Sequence, residues 1–484
     1  MIYEIKELQS LLEDNLCDEL ENIKYSSDIV DPKKFLSHKR FDLAFKLFYL
    51  DELSVREDLA KKIYKEHIRA FSLGKYTEPG DKNKRNINDF YSAFNRTFNN
   101  IKENGFDNNK TLIVSSPSGD IANGAHRVAS SIFLKKKVEF IKLKTFDQDY
   151  DYKFFKDRRV NESHMDEAAK KFIKFSDNSY VAFIWPSANG HDSSIEKKIP
   201  NIVYRKNIKL NINGAHNLLS QIYFKEPWLG DIYNNYAGAK VKVLECFKNT
   251  NSLRVIVFQA DSIKDVLRIK ESIRRIFNIG KHSIHITDTK EEAIRTSNLV
   301  LNNSAIKFLN FSKPNKFINF NENLEKIKKH LNERNISLKN YIFWYKSLFS
   351  IFGICNNIEI DYIELSPGKT KLPFSKEVSL DSNQLVKLNS SGLNIFMFND
   401  LNFISADFVF NNREDLFLEA DAKCIEELYR INKDKNSLKD KFFSNINRNF
   451  YYSRALLRKF IVVTLKKLGL IKTVKKFLMF IKNK

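Results

Sequence analysis

Between residues 201 and 310 the hydrophobic period of the chain switches repeatedly between two residues and about 3.6. IVYRKNIKLN reads as a strand, and NGAHNLLSQIYF as a turn and helix. AKVKVLECF and LRVIVFQA read as strands, DSIKDVLRIKESIRRIFN as a helix, KHSIHIT as a strand, and TKEEAIRTSNLVLNN as a further helix. Elements alternating in this way must cover each other's apolar faces, so the segment predicts layered α/β packing. Asp288 or Thr289 can cap the last helix, with Glu291 or Glu292 three residues on completing a capping box. Residues 111–144 show the same grammar: TLIVSS, a hairpin turn at Gly119-Asp120, IANGAHR leading into a helix, then VEFIKLK.

The 484 residues exceed one ordinary core and predict two to four domains. Residues 1–75 carry mixed charge with Leu8, Leu11, Leu12 and Leu16 at helical spacing. The turn-rich run Thr77-Glu78-Pro79-Gly80-Asp81-Lys82 precedes a helix on which Phe90, Phe94 and Phe98 mark one buried face. Residues 311–340 are polar and rich in Asn and Lys, a boundary signal. The expected organisation is 1–150, 151–320, 321–445 and a tail at 446–484, a multidomain α/β and α+β protein.

The net charge of +22 suits nucleic acid, an anionic membrane or a phosphorylated substrate. Ten Lys or Arg and no acid lie from Arg454 to the end, so nearly half of the excess sits in the tail. The remainder lacks the Arg-aromatic stripes of a nucleic-acid groove, which disfavours a general DNA or RNA binder. In the tail Leu457, Phe460, Ile461, Thr464, Leu468, Ile471, Val474 and Phe477 recur at three- and four-residue steps between basic residues. This is a basic amphipathic helix suited to the anionic inner leaflet of a bacterial membrane. No apolar run approaches a transmembrane length and the N-terminus is not a signal sequence, so the expected location is cytoplasmic and peripheral on the inner membrane. Cys17, Cys246, Cys355 and Cys424 are scattered and form no CxxC pair, indicating neither a zinc ribbon nor a disulfide framework.

Two near-identical blocks, NGAHRVASSIFLK at 123–135 and NGAHNLLSQIYFK at 213–225, put a Gly-Ala turn and a histidine at a helix start. Free N–H groups at such a start can hold an anion, and Arg127 of the first copy adds a guanidinium suited to phosphate. The second copy has Asn217 there and reads as a weakened relative or a coincidence. The alternating Asp147, Asp149 and Asp151 could seat a hard cation but lack the Gly and Glu of a calcium loop, and read better as a solvated acidic loop. The pair His191-Asp192 is weak evidence for metal. Further on, Arg274, Arg275, Lys281, His282 and His285 crowd together. On a strand Lys281, Ser283 and His285 share one face, turned to a site that Thr287 and Asp288 also border.

Three resemblances extend this reading. GDIANGAHRVASSIFLKKKVEFIKL resembles the core of the ParB/sulfiredoxin-like superfamily. That likeness implies phosphate binding by Gly124, His126 and Arg127, while Ala125, in place of the reactive cysteine, rules out sulfiredoxin chemistry. GKHSIHITDTKEEAIRTSNLVLNNSAIKFLN is similar to a segment of bacterial proteins encoded among capsule and lipopolysaccharide synthesis genes, and its basic cluster of Lys281, His282 and His285 is a second expected site for the phosphate of a nucleotide or phosphorylated sugar. YIFWYKSLFSIFGICNNIEIDYIEL is similar to the nucleotidyltransferase fold shared with DNA polymerase β. It implies that Glu359 and Asp361 hold magnesium and a nucleotide (ATP or another triphosphate) for in-line transfer, with Ser347 in the motif serine's place. Lys346 stands where that motif has glycine, and Asp400 or Asp407 would have to supply a third carboxylate. These readings together predict a transferase of surface-polysaccharide assembly. The competing expectation is a non-catalytic nucleotide-binding scaffold that holds polysaccharide-synthesis proteins at the membrane.

Overall fold

A computed structural model of the protein describes residues 1–12, 14–21, 23–78, 83–145, 147–357, 359–365, 371–412 and 422–432, with isolated positions between 457 and 470. It is a mixed α/β protein with three sheets drawn from successive stretches of the chain. The first contains β1 (Ile2–Tyr3), β2 (Tyr25–Val30), β3 (Ile113–Ser115), β4 (Ile121–Asn123) and β5 (Val138–Lys142), in the order β1-β2-β5-β3-β4. The hairpin read at Gly119 is present: β3 and β4 are antiparallel and Gly119 sits at φ +93°. The helix Ala125–Leu134 then carries the chain back so that β5 lies parallel to β3. Strand β2 falls within the stretch read as helical; its Ser-Ser-Asp centre hides an alternation that pairs it with β5.

The middle sheet comprises β6 (Ser179–Ile184), β7 (Ile202–Ile208), β8 (Leu253–Gln259) and β9 (Ile284–Ile286), in the order β7-β8-β6-β9. All its pairings are antiparallel, so helices alternate with strands here without making a parallel sheet. Every residue of β8 is buried because both faces of the sheet are covered. On one face Val266, Ile269 and Ile273 of the helix Ile263–Phe277 close a separate core with Ile256, Phe258 and Ile284. AKVKVLECF, expected as a strand, belongs to the helix Ala237–Cys246. The alternation of Lys and Val mimics a half-buried strand, yet the buried Ala239, Val243 and Cys246 fall at steps of four and three, one helical face.

The third sheet comprises β10 (Tyr341–Phe343), β11 (Ile360–Glu364), β12 (Ser375–Glu377), β13 (Ile395–Phe398) and β14 (Leu401–Ile404), in the order β12-β11-β10-β14-β13. Asn399 and Asp400, both at positive φ, make the two-residue turn between β13 and β14, whose strand twist favours that geometry. The main hydrophobic core is continuous through the three sheets, from Phe35 and Phe140 past Phe183 and Val257 to Phe343 and Phe403. Polar contacts reinforce the first junction. Asp51 and Glu52 of the helix Asp42–Glu52 pair with Lys171 and Lys174 of the helix Glu162–Phe175.

Cys355 and Cys424 are joined in a disulfide across 69 residues, contrary to the expectation of no such framework. Spacing could not show it, because the two meet only through the packing of the helix Ala422–Asn432 against the third sheet's elements. No helix among the described residues is long and apolar enough to cross a membrane. The amphipathic tail expected at 446–484 lies largely outside the described residues; Leu457, Phe460, Ile461 and Leu468, which are described, are exposed.

Candidate functional site

A cavity of about 910 Å³ opens beside β9 and gathers the three residues expected there, Lys281, His282 and His285. The helix Ile263–Phe277 supplies its cationic wall. Ser262 caps that helix by accepting from the Asp265 N–H, and Lys270 and Arg274, one turn apart, both reach the cavity. Asn278, at φ +50°, ends the helix, and Gly280 at φ +56° starts a 3-10 turn, Gly280–His282. Lys281 and His282 therefore sit in this turn and not on the strand; only Ile284–Ile286 pairs with β6. The shared strand face expected for Lys281 and His285 is thus replaced by a turn that delivers Lys281 to the same cavity.

His285 is the best-supported side chain of the site. Its Nε2 lies 2.9 Å from Glu292 Oε1, and its ring packs edge-on against Tyr223 with centroids 5.2 Å apart. Glu292 is held in turn: Oε2 accepts from the Asp288 N–H at 2.8 Å, and its own N–H donates to the Thr289 hydroxyl that caps the helix Lys290–Val300. Burial alone would raise the Glu292 carboxyl, but the hydrogen bond and charge of His285 outweigh it and hold the group below its usual range. With Nε2 engaged, Nδ1 of His285 has no hydrogen-bond partner among the described residues. A carboxylate fixing one ring nitrogen orients the imidazole, the arrangement of a general base.

Charge is unevenly compensated around this dyad. Lys270 pairs with Asp288 at 2.5 Å and Arg274 with Glu271 at 2.5 Å. Lys242, from the helix Ala237–Cys246, donates to the Lys281 carbonyl at 3.3 Å, and neither Lys242 nor Lys281 has a carboxylate partner among the described residues. Part of the lining is aromatic: Tyr223, Phe224 and Trp228 follow the helix Ile212–Ile222, and the Arg295 guanidinium lies 4.2 Å from the Phe224 ring centre. Sequence reading missed Lys242, Lys270 and Trp228, which only folding brings to the histidines. Glu292, expected to complete a capping box, accepts from the Asp288 N–H rather than from that of the capping Thr289, and pairs with His285 instead.

The other expected sites are placed differently. Gly124, at φ +98°, precedes the helix Ala125–Leu134, and a Cβ there would meet Ile113 Cδ1 at 2.7 Å. His126 turns inward, its Nε2 2.8 Å from the Tyr64 hydroxyl and its ring against Phe94. Burial lowers its pKa well below the usual value. Arg127 reaches back to the Leu112 carbonyl and the Asn123 side chain, so the histidine and arginine diverge. Near them lies a group that the sequence reading passed over. Buried Asp42 receives a two-pronged bond from Arg40 at 2.8 Å on each oxygen and a third from Lys46, which approaches His67 at 3.4 Å. Its signal was there: Asp42 and Lys46 stand four apart in the otherwise apolar DLAFKLFYL. The second NGAH block is not a structural copy, because Gly214 lies inside a helix that Asn211 caps.

In the third sheet Asp361 is buried and serves the helix Tyr345–Phe352. Its Oδ2 accepts from the Lys346 N–H at 2.8 Å, and Oδ1 accepts from the Ser347 N–H and hydroxyl, both at 2.7 Å. Both oxygens are committed to a helix N-terminus, whereas Glu359 is exposed and precedes β11. This leaves the pair without the shared open face that a magnesium site needs. Asp400 lines the middle cavity instead, and Asp407 pairs with Lys307. The remaining weak signals are structural too. Asp147 accepts from Ser118, Asp151 caps the helix Tyr152–Asp157, and Asp192 binds Arg205 and Arg254. Among the described residues no group of three or more His, Cys, Asp or Glu side chains is placed to hold a metal ion. No family model, curated protein or solved structure matches the chain.

Proposed function

We propose that the cavity beside β9 binds a phosphate ester, a nucleotide or a phosphorylated sugar, and that the protein is a transferase of bacterial surface-polysaccharide assembly. The observation that carries this reading is that the cavity holding the His285–Glu292 dyad is also lined by two lysines, Lys242 and Lys281, with no carboxylate partner among the described residues. Such ammonium groups favour a dianionic ligand, and the dyad can accept the proton of an attacking hydroxyl. The resemblance to capsule and lipopolysaccharide proteins supports it independently, since GKHSIHITDTKEE forms one wall of this cavity. The exposed Leu457, Phe460, Ile461 and Leu468, in a segment with ten basic and no acidic residues, support contact with an anionic bilayer.

A thermal-shift screen of sugar phosphates, nucleotides and nucleotide-sugars tests the reading, because a ligand of the native state raises the unfolding midpoint by mass action. A midpoint rise that is lost in the Lys242→Ala/Lys281→Ala double variant is expected. A rise unaffected by that variant would place the ligand elsewhere. The scaffold alternative draws on the commitment of Asp361 to helix capping. Binding without turnover of any bound ester would favour it.

A further inference from the structure

We propose that Trp228 forms a sugar-ring subsite at the mouth of this cavity, so that the phosphate ester it takes is a sugar phosphate and not a nucleoside phosphate. The proposal rests on the phosphate reading above and specifies its ligand. Of the chain's three tryptophans, Trp185 and Trp344 are buried, at 0% and 2% exposure, while Trp228 is 46% exposed on the cavity wall. Its exposure is built, not loose. The indole N–H donates to Glu226 at 3.2 Å, and the ring packs on Tyr223 with centroids 5.1 Å apart. Gly238 lets the helix Ala237–Cys246 lie close against Trp228, since a Cβ there would overlap the Trp228 carbonyl and sit 2.9 Å from its ring Cε3. A large aromatic ring fixed by a hydrogen bond and left open to water is a prepared binding surface.

The polar groups around that ring select the occupant. Glu226, Glu245 and Glu291 line the same cavity. A pyranose lays its apolar C–H face on an indole and turns a rim of hydroxyl donors outward, which carboxylates accept. A nucleobase edge mixes one or two N–H donors with carbonyl and ring-nitrogen acceptors, and carboxylates oppose those acceptors. Lys242 joins the two walls: its ammonium lies 5.6 Å from the Tyr223 ring centre and donates to the Lys281 carbonyl. A phosphate held by Lys242 and Lys281 is therefore placed beside the aromatic wall.

Because the other two tryptophans are buried, acrylamide quenching of intrinsic fluorescence reads Trp228. The full-length protein is titrated with glucose 1-phosphate, N-acetylglucosamine 1-phosphate, UMP, AMP and inorganic phosphate. The proposal expects the sugar phosphates to lower the quenching constant at least twofold and saturably, with inorganic phosphate displacing them without protecting the ring. Trp228→Ala should weaken sugar-phosphate binding, followed by thermal shift, at least tenfold and leave inorganic phosphate binding intact, while Trp228→Phe restores part of the loss. Equal or better protection by UMP or AMP overturns the proposal. So does tight sugar-phosphate binding that leaves Trp228 as quenchable as before, although the phosphate reading then survives. If none of the five ligands binds, both fall together.

Discussion

Asp361 shows how one side chain can wear the pattern of a catalytic carboxylate and do other work. Burial pushes its carboxyl above the usual range, while the N–H groups of Lys346 and Ser347 oppose that shift. An Asp361→Ala variant leaves a helix start uncapped and the buried Ser347 hydroxyl with fewer partners, a cost of about 2–3 kcal/mol. Asp361→Asn, which keeps one acceptor, should lose roughly half as much. Chemical denaturation measures both, and the native protein's midpoint should not move with millimolar magnesium. A magnesium-dependent gain that Asp361→Ala abolishes would reinstate the metal role. Gly124 is the second residue whose identity is forced. At φ +98° and with Ile113 in the path of any Cβ, Gly124→Ala should destabilise by about 1–3 kcal/mol. An unchanged midpoint would mean that the turn relaxes freely.

At the scale of elements, β8 is the strand plainest in the sequence, and both its faces are covered. Its run at 255–258 is apolar throughout because cores pack on each side. The helix Ala237–Cys246 was hidden by a Lys-Val alternation that fits either period over so short a span. The candidate site was half legible. Lys281, His282 and His285 fall within five residues of sequence and announce themselves, but Trp228 and Lys242 lie some way upstream and join them only through the fold. The disulfide is the extreme case, a contact across 69 residues that no local signal encodes. For a loop of that length, chain entropy sets its contribution at up to about 4 kcal/mol. Reductant should lower the denaturation midpoint of the native protein and leave that of Cys424→Ser unchanged. Equal sensitivity in both would assign the effect to some other group.

For the whole molecule, the joint between the first and middle sheets is ionic as well as apolar, which makes stability depend on pH. Burial would raise the Glu52 carboxyl, but Lys171 and Arg56 overcome that and hold it at about 2, against 4.5 in the unfolded chain. A depressed carboxylate contributes stability that is complete above the unfolded value and is lost as pH falls from about 4.5 towards 2. The shift corresponds to roughly 3 kcal/mol. Urea midpoints recorded across that window should fall less steeply in Glu52→Gln than in the native protein; parallel curves would remove Glu52 from the acid response. The same joint sets the first sheet's helices against the middle sheet, whose strand β9 borders the cavity. The claim on which all of this turns is that the cavity beside β9 takes phosphate esters through Lys242 and Lys281. Ligand-observed phosphorus NMR of glucose 1-phosphate tests it most directly. The native protein should broaden the phosphorus resonance, an effect reversed by excess inorganic phosphate and absent with Lys242→Ala/Lys281→Ala. Undiminished broadening by that double variant, or none by the native protein, would contradict the account.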